Sequence, residues 1–251
     1  MILVLRHSEK QNQSNNINEK NSWKTSRRFK INQLDVPLSK NGFDLAYKSI
    51  KKILHNYKGN FGYIYSSPLT RCIQTSIEFQ KYIKDTYDVK ILIRIENGLI
   101  SNFFGEADTL YFGFDENALS NPVVKFVNDK PIITKPMTYI DDYLSSENIF
   151  KRYGKSKFDV SYEPHRSTED INNEYEDLPS DICRSRINTF KKIVDISKNE
   201  INLIVTHGEI LNLLNSWITN KWNPNNEFQL CGGFEVKITK SKKVKINKKI
   251  E

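Results

Sequence analysis

Two stretches decide the fold: Met1-Ile2-Leu3-Val4-Leu5-Arg6-His7 near one end of the chain and Ile201-Asn202-Leu203-Ile204-Val205-Thr206-His207 near the other. Each is a short, almost unbroken apolar run bounded by polar residues, which is the pattern of a strand buried on both faces. Each runs straight into a histidine. If both are central strands of one parallel sheet, their carboxyl ends share the edge at which open α/β sheets bind ligands. Arg6, His7, Ser8 and Glu9 then stand at the mouth of a site. Taken alone, the first run fits an ordinary strand end with a surface histidine equally well.

Outward from these runs, strand and helix signals alternate. Residues 11–33 are polar and Asn-rich and read as loop. Ser39 caps a helical pattern over 40–57, with apolar positions at Phe43, Ala46, Ile50, Ile53 and Leu54. Residues 61–65 form a short aromatic strand. Ser66-Ser67-Pro68 then supplies a cap and a first-turn proline for a helix over 68–84, and 89–95 is a further strand. From 97 to 179 no period persists, and repeated Gly and Pro punctuate a long stretch that reads as an insertion with short helices, a cap over the site. Helices at 181–198 and 210–218 flank the second decisive run. Residues 228–231 and 233–238 read as a hairpin around Gly232-Gly233. The pattern implies an α/β three-layer sandwich with a mostly parallel central sheet flanked by helices. It is read as one domain spanning 1–251, with residues 101–179 inserted within it.

Composition narrows the class. The chain has 251 residues, enough for a sizeable core, and its 27% charged and 12% aromatic content is unlike that of a disordered chain. No apolar run reaches the ~18 residues of a membrane span. The opening run is too short for a signal peptide. Three cysteines, far apart, make neither a disulfide framework nor a thiolate zinc site and point to a reducing, cytoplasmic setting. The formal net charge is +8, and many of the lysines lie in the tail 237–249, alternating with Val and Ile. That alternation reads as an edge strand carrying aggregation-blocking charge rather than a nucleic-acid or membrane patch.

With both histidines and the helix carrying Arg71 at one sheet edge, the site holds two imidazoles, at least two guanidiniums and a helix N-terminus. Such a set suits a dianionic phosphate: Arg offers planar multidentate donors and the helix end offers backbone N–H groups. Cys72 follows Arg71 by one residue, points about 100° away on a helix, and reads as core rather than nucleophile. His55 and His165 read as surface residues. Asp141-Asp142 and Glu174, Glu176 and Asp177 read as solvated loop carboxylates rather than a metal site.

These residues resemble a known family, the histidine phosphatase (phosphoglycerate mutase-like) superfamily. Leu5-Arg6-His7-Ser8-Glu9 is similar to its Arg-His-Gly-Glu signature, and Asp35-Val36-Pro37-Leu38-Ser39 with Gly42 and Ala46 to its Asp-x-Pro-Leu-Thr segment. Ser66-Ser67-Pro68-Leu69-Thr70-Arg71-Cys72-Ile73-Gln74-Thr75 resembles its Ser-Ser-Pro-x-x-Arg-Cys-x-Gln-Thr segment, and Val205-Thr206-His207-Gly208 its late strand end. The motifs occur in the family's order. Trp23, residues 158–164 and Arg71-Cys72 look like the Sts-like tyrosine-phosphatase branch.

The resemblance implies a phosphomonoester hydrolase in which neutral His7 attacks phosphorus and water hydrolyses the phosphohistidine. Arg6 and Arg71 would depress the imidazole's proton affinity and bind the phosphoryl oxygens, with His207 donating a further hydrogen bond. Lys10 stands where the Sts-like pattern has a phosphate-facing Arg, and Ser8 and Ser67 line the substrate side. No cofactor or metal is implied. Substrates would be phosphorylated small molecules or phosphotyrosine proteins, without a nucleic-acid or membrane partner, and a homodimer is an assembly left open.

Two departures from the family's pattern matter. Ser8 replaces its Gly, and Ser101 stands where its general-acid Glu follows the third strand. A serine hydroxyl is a poor acid. Glu106, its neighbour Asp108, and Glu209 beside His207 are the candidate replacements. Without a competent acid, the chain would be a catalytically impaired phospholigand-binding or scaffold member of the same fold. A phosphoglycerate mutase is the remaining alternative.

Overall fold

The computed structural model describes residues 1–32, 35–55, 57, 59–101, 111–114, 122–125, 140–174, 179–197, 200–221, 228–239 and 243–251. In chain order the first elements are β1 (Ile2–Arg6), α1 (Ile17–Thr25), α2 (Arg27–Ile31), α3 (Lys40–Leu54), β2 (Phe61–Ser66), α4 (Thr70–Tyr87) and β3 (Leu92–Ile95). A small hairpin, β4 (Tyr111–Phe114) and β5 (Pro122–Lys125), precedes α5 (Ser146–Tyr153), α6 (Thr168–Asn172) and α7 (Pro179–Ile196). The chain then forms β6 (Ile201–Thr206), α8 (Gly208–Thr219), β7 (Gly233–Ile238) and β8 (Val244–Ile250).

Six strands make one sheet in the order β3-β2-β6-β1-β7-β8. The first four are parallel, whereas β7 joins β1, and β8 joins β7, by antiparallel pairing. Register fixes the site. Arg6 pairs with Thr206, so both strands end together and hand His7 and His207 to the same edge.

The period-2 alternation of β1 assigns its side chains to two layers. Leu3 and Leu5, with Ile64, Leu203 and Val205, pack beneath Ala46, Ile50, Ile73 and Phe79 of α3 and α4. Ile2 and Val4, with Tyr65 and Ile204, pack against Ile187, Phe190, Ile210 and Leu214 of α7 and α8. Each fully buried chain of this kind contributes about 1.5–3 kcal/mol. The sheet is therefore a rigid floor for its carboxyl edge. A smaller cluster of Leu69, Ile100, Ile140, Leu144 and Ile171 docks the described parts of the insertion beside that edge.

Local chemistry explains the ends of α3 and α4. Ser39 Oγ accepts from Gly42 N at 2.8 Å, a side-chain cap as the sequence predicts. A Cβ on Gly42 would lie 2.3 Å from Glu9 O, so only glycine lets the post-β1 segment cross there. Helix α4 differs from expectation. Its cap position is Leu69, which has no side-chain acceptor. Asp35 acts instead from across the fold, accepting from Thr70 N at 2.7 Å and Thr70 Oγ1 at 2.8 Å.

Other expectations change as well. Residues 11–33, read as loop, contain α1 and α2, capped by Asn16 and Ser26. These helices bury Trp23 against Phe29 while leaving Ile17 and Ile31 exposed, so no apolar stripe announces them. Residues 228–231 are not a strand. The hairpin is β7–β8, and its ends are tied by Thr239 N to Lys243 O at 2.9 Å. Strand β8, at the sheet edge, carries Lys245, Lys248 and Lys249 of the tail. Glu174 is not solvated, because it binds Arg186 in a buried pair, and Asp141 is half-buried and binds Arg28. Glu176 and Asp177 lie outside the described residues. Among the described residues no helix is long and apolar enough to cross a membrane.

Candidate active site

Four cationic or imidazole groups converge at the carboxyl edge. His7 follows β1 and His207 follows β6, and His7 N donates to Thr206 O at 2.9 Å. The two rings stand edge to face with centroids 5.4 Å apart. Arg71, on the first turn of α4, places Nη2 3.1 Å from His207 Nδ1. Arg6 is held by Nη1 donating to Phe228 O at 2.6 Å. It acts electrostatically on both histidines and on Arg71.

The hydrogen bonds assign the tautomers. His7 Nδ1 lies 2.7 Å from Ser8 O, a carbonyl that only accepts, so Nδ1 carries the proton and Nε2 keeps its lone pair. A guanidinium only donates, so His207 Nδ1 accepts from Arg71, and Nε2–H donates to Ser67 Oγ at 2.9 Å. Burial, then Arg71, hold the proton affinity of both rings well below the usual histidine value. Lys10 and Arg6 push both rings the same way, and the Ser8 bond opposes this at His7. Burial is thus the first cause, ahead of the arginines that the sequence singles out. A neutral imidazole with a free Nε2 has the lone pair that nucleophilic attack requires.

Lys10 faces the same space. Burial, then Arg71, lower its pKa to about 8, with Arg6 adding and Glu209 opposing. A bridge between Lys10 and Leu38 sets its place, and Leu38 N in turn donates to Gln74 Oε1 at 2.8 Å on α4. Cys72, one residue past Arg71, is buried with Sγ 3.5 Å from His207 Nε2. Burial pushes its thiol up to about 12, which leaves it inert as a nucleophile.

The two serines expected on the substrate side are turned into the protein. Ser8 Oγ donates to Gly42 O at 2.7 Å and Ser8 N donates to Thr75 Oγ1 at 3.0 Å, so neither donor is left for a substrate. Ser67 Oγ is the acceptor that orients His207. His165 is half-buried rather than a surface residue, whereas His55 is exposed.

The carboxylates sort clearly. Glu9 is engaged by Ser39 Oγ and by Asn41 Nδ2, at the start of α3. Glu209, on the first turn of α8, accepts a hydrogen bond from Ser101 Oγ. The residue at the expected acid position therefore touches the carboxylate next to His207. Glu209 is also close enough to influence Lys10 and Arg71. Glu106 and Asp108 lie outside the described residues.

Three residues that the sequence reading quotes only within motifs position the site. Asp35 fixes the α4 N-terminus and is held by Arg28 Nε at 2.8 Å. Thr75 Oγ1 receives the Ser8 amide and donates to Arg71 O at 2.8 Å, so one side chain ties the nucleophile loop to the arginine helix. Thr206 Oγ1 donates to Leu99 O at 2.8 Å and so holds the turn that leads to Ser101. The missing acceptor at Leu69 was the available signal for Asp35.

Comparison with known proteins gives one family. A sequence profile of the histidine phosphatase superfamily (branch 1) matches residues 2–129. A search of curated proteins finds no sequence match. Among solved structures, the ecdysone phosphate phosphatase of Bombix mori, in complex with tungstate, superposes with a TM-score of 0.57 at 13% identity, covering 98% of this chain and 91% of that one. A putative alpha-ribazole-5'-P phosphatase of Escherichia coli gives 0.50 at 12% identity, covering 100% and 95%. A mycobacterial glucosyl-3-phosphoglycerate phosphatase in complex with VO3 gives 0.50 at 12%, covering 98% and 96%. At these identities the likeness is one of fold.

Proposed function

Because the chain belongs to the histidine phosphatase superfamily, we propose that it hydrolyses phosphomonoesters through a phosphohistidine at His7. The observation that carries this reading is the His7 ring, buried, protonated at Nδ1 by its bond to Ser8 O, and facing Arg71 and His207. In the first step Nε2 attacks phosphorus and the bond to the leaving oxygen breaks, as Glu209 passes its proton to that oxygen. In the second step Glu209 takes a proton from water, the water oxygen bonds to phosphorus, and the P–Nε2 bond breaks to release phosphate. Arg6, Arg71 and Lys10 neutralise the phosphoryl oxygens, and His207 lies among them. Glu209 is the acid on this reading because Ser101 binds it at the mouth of the site.

Rapid quenching with a phosphate-labelled aryl ester tests the proposal. The expected result is a base-stable, acid-labile phosphoenzyme that His7→Ala abolishes together with turnover. Turnover without any labelled enzyme, or turnover surviving in His7→Ala, would overturn it. Parallel assays on small alkyl phosphates and phosphotyrosine peptides would establish which leaving group the site favours. A second reading, a phosphate-binding protein without turnover, draws on Ser101 standing in the acid position. Tight vanadate binding by a well-folded chain that hydrolyses no phosphomonoester would establish it.

A further inference from the structure

Lys10 reaches the anion cluster from a short antiparallel pairing of residues 9–11 with 37–39 rather than from a strand of the sheet. Ser39 N donates to Glu9 O at 3.0 Å and Gln11 N donates to Pro37 O at 2.8 Å. Lys10 and Leu38 are the non-hydrogen-bonded pair between those bonds, so their own amides turn outward. Lys10 N donates to Gln13 Oε1 at 3.3 Å, whereas Leu38 N donates to Gln74 Oε1 at 2.8 Å, on α4. Leu38 is buried, and a buried amide left without an acceptor is costly, so the oxygen of the Gln74 side chain is the end that must face it.

Gln74 stands three residues after Arg71, which puts both on one face of α4. That face therefore carries a guanidinium of the anion cluster and the oxygen that receives the segment opposite. We propose that Gln74 is a positioning residue for anion binding. By accepting from Leu38 N it fastens the Lys10–Leu38 pair to the helix that bears Arg71, and so aims the Lys10 ammonium at the oxyanion held by Arg71. The inference rests on the proposed phosphoryl-binding role of this edge and adds to it a residue that touches no substrate.

Lys10 depends on such a tie. A pairing of three residues a side has little cohesion of its own. Lys10 makes no ion pair among the described residues that would hold its side chain in place. Its charge is felt by His7 and His207, and it responds in turn to Arg71, Arg6 and Glu209, so it lies within electrostatic reach of all of them. An ammonium is a point charge whose attraction for a bound anion falls with distance, so a shift of its backbone is felt directly. The far end of the Gln74 amide faces the Tyr153 hydroxyl of α5, which offers a control for the two ends of one side chain.

Calorimetric binding of inorganic phosphate is the test, because it does not require turnover. Gln74→Met keeps the length and loses the acceptor, and should weaken phosphate about tenfold. Gln74→Asn, one methylene too short to reach Leu38 N, should do the same. In a Lys10→Met background either substitution should add less than about twofold, because the group it positions is gone. Wild-type affinity should also fall as pH rises through about 8, where Lys10 loses its charge, and in Gln74→Met that fall should move toward the ordinary lysine value of about 10.4. Tyr153→Phe should leave affinity within about twofold of wild type. A folded Gln74 variant that binds phosphate like wild type, equal losses with and without Lys10, an unmoved pH profile, or a Tyr153→Phe loss as large as that of Gln74→Met would each overturn the proposal. A wild type that binds phosphate but hydrolyses no ester would refute only the catalytic reading, and one that binds no phosphate would refute both.

Discussion

Replacing Glu209 by Gln isolates the proton transfer from everything else in the site. Gln keeps the size and an oxygen that can accept from Ser101 Oγ, so the contact that positions the side chain survives. Only the transferable proton is lost. General acid catalysis is worth about 10²–10⁴-fold, which at 1.36 kcal/mol per decade is about 2.7–5.4 kcal/mol of barrier. The loss depends on the leaving group. An alkoxide cannot depart unprotonated and feels the whole penalty, whereas a nitrophenolate is stable as an anion and feels little. The assay is kcat/KM for the wild type and Glu209→Gln on an alkyl phosphate and on 4-nitrophenyl phosphate. We expect a loss of about 10³-fold on the first and less than about tenfold on the second. Ser101→Ala, which removes one hydrogen bond to the acid, should cost about fivefold on the alkyl ester, corresponding to about 1 kcal/mol. Equal losses on both substrates, or none on either, would mean that Glu209 is not the proton donor.

Three further outcomes follow from the same geometry. Both buried imidazoles bind protons less readily folded than unfolded, so their contribution to stability is complete above the unfolded value near 6.5 and is lost as pH falls below it. The unfolding free energy from denaturant titration should drop by about 1 kcal/mol per histidine between about pH 6.5 and 5.5, and the double variant His7→Asn/His207→Asn should flatten that slope; a pH-independent wild type would refute it. Lys10, with its pKa lowered to about 8, loses its charge as pH rises through that value, so KM should climb there. Lys10→Arg should abolish the climb because the guanidinium stays charged, and an unchanged profile would remove Lys10 from the anion site. Asp35→Ala strips α4 of its cap and removes one carboxylate from Arg28, and thermal unfolding should show a loss of about 3–5 kcal/mol. A loss below about 1 kcal/mol would assign that cap a negligible role.

The parts of the fold legible in the sequence are those where local pattern and tertiary role coincide. β1 and β6 are buried on both faces, so an unbroken apolar run was enough to place them and the histidines that follow. α3 writes its cap and its stripe of Ala46, Ile50 and Leu54 into consecutive turns. Legibility fails where stability comes from distant partners. α1 shows no stripe because Trp23 is its one buried side chain. Helix α4 looked self-capped by serine, yet its acceptor is Asp35, which reaches it from another loop. Ser67 belongs to the same class: its motif marked it as important, and only the ring of His207 2.9 Å away explains how.

The contact between Ser101 and Glu209 joins residues 108 positions apart, and no local signal could announce it. The demands on the two kinds of group differ physically. In the proposed mechanism a nucleophile and its cations must surround one phosphorus atom, and His7, Arg6, Arg71 and His207 are held together by strand register and by a capped helix. A general acid need only reach the leaving oxygen, on the open side of that cluster. The end of the turn after β3 and the first turn of α8 both border that side, and Thr206 Oγ1 clamps the first to the strand that leads into the second. A carboxylate borne on α8 can therefore serve where serine occupies the β3 side without disturbing the anion-binding groups. On the proposed mechanism, this is how the motifs around His7 and Arg71 stay intact in a chain whose acid position reads as serine.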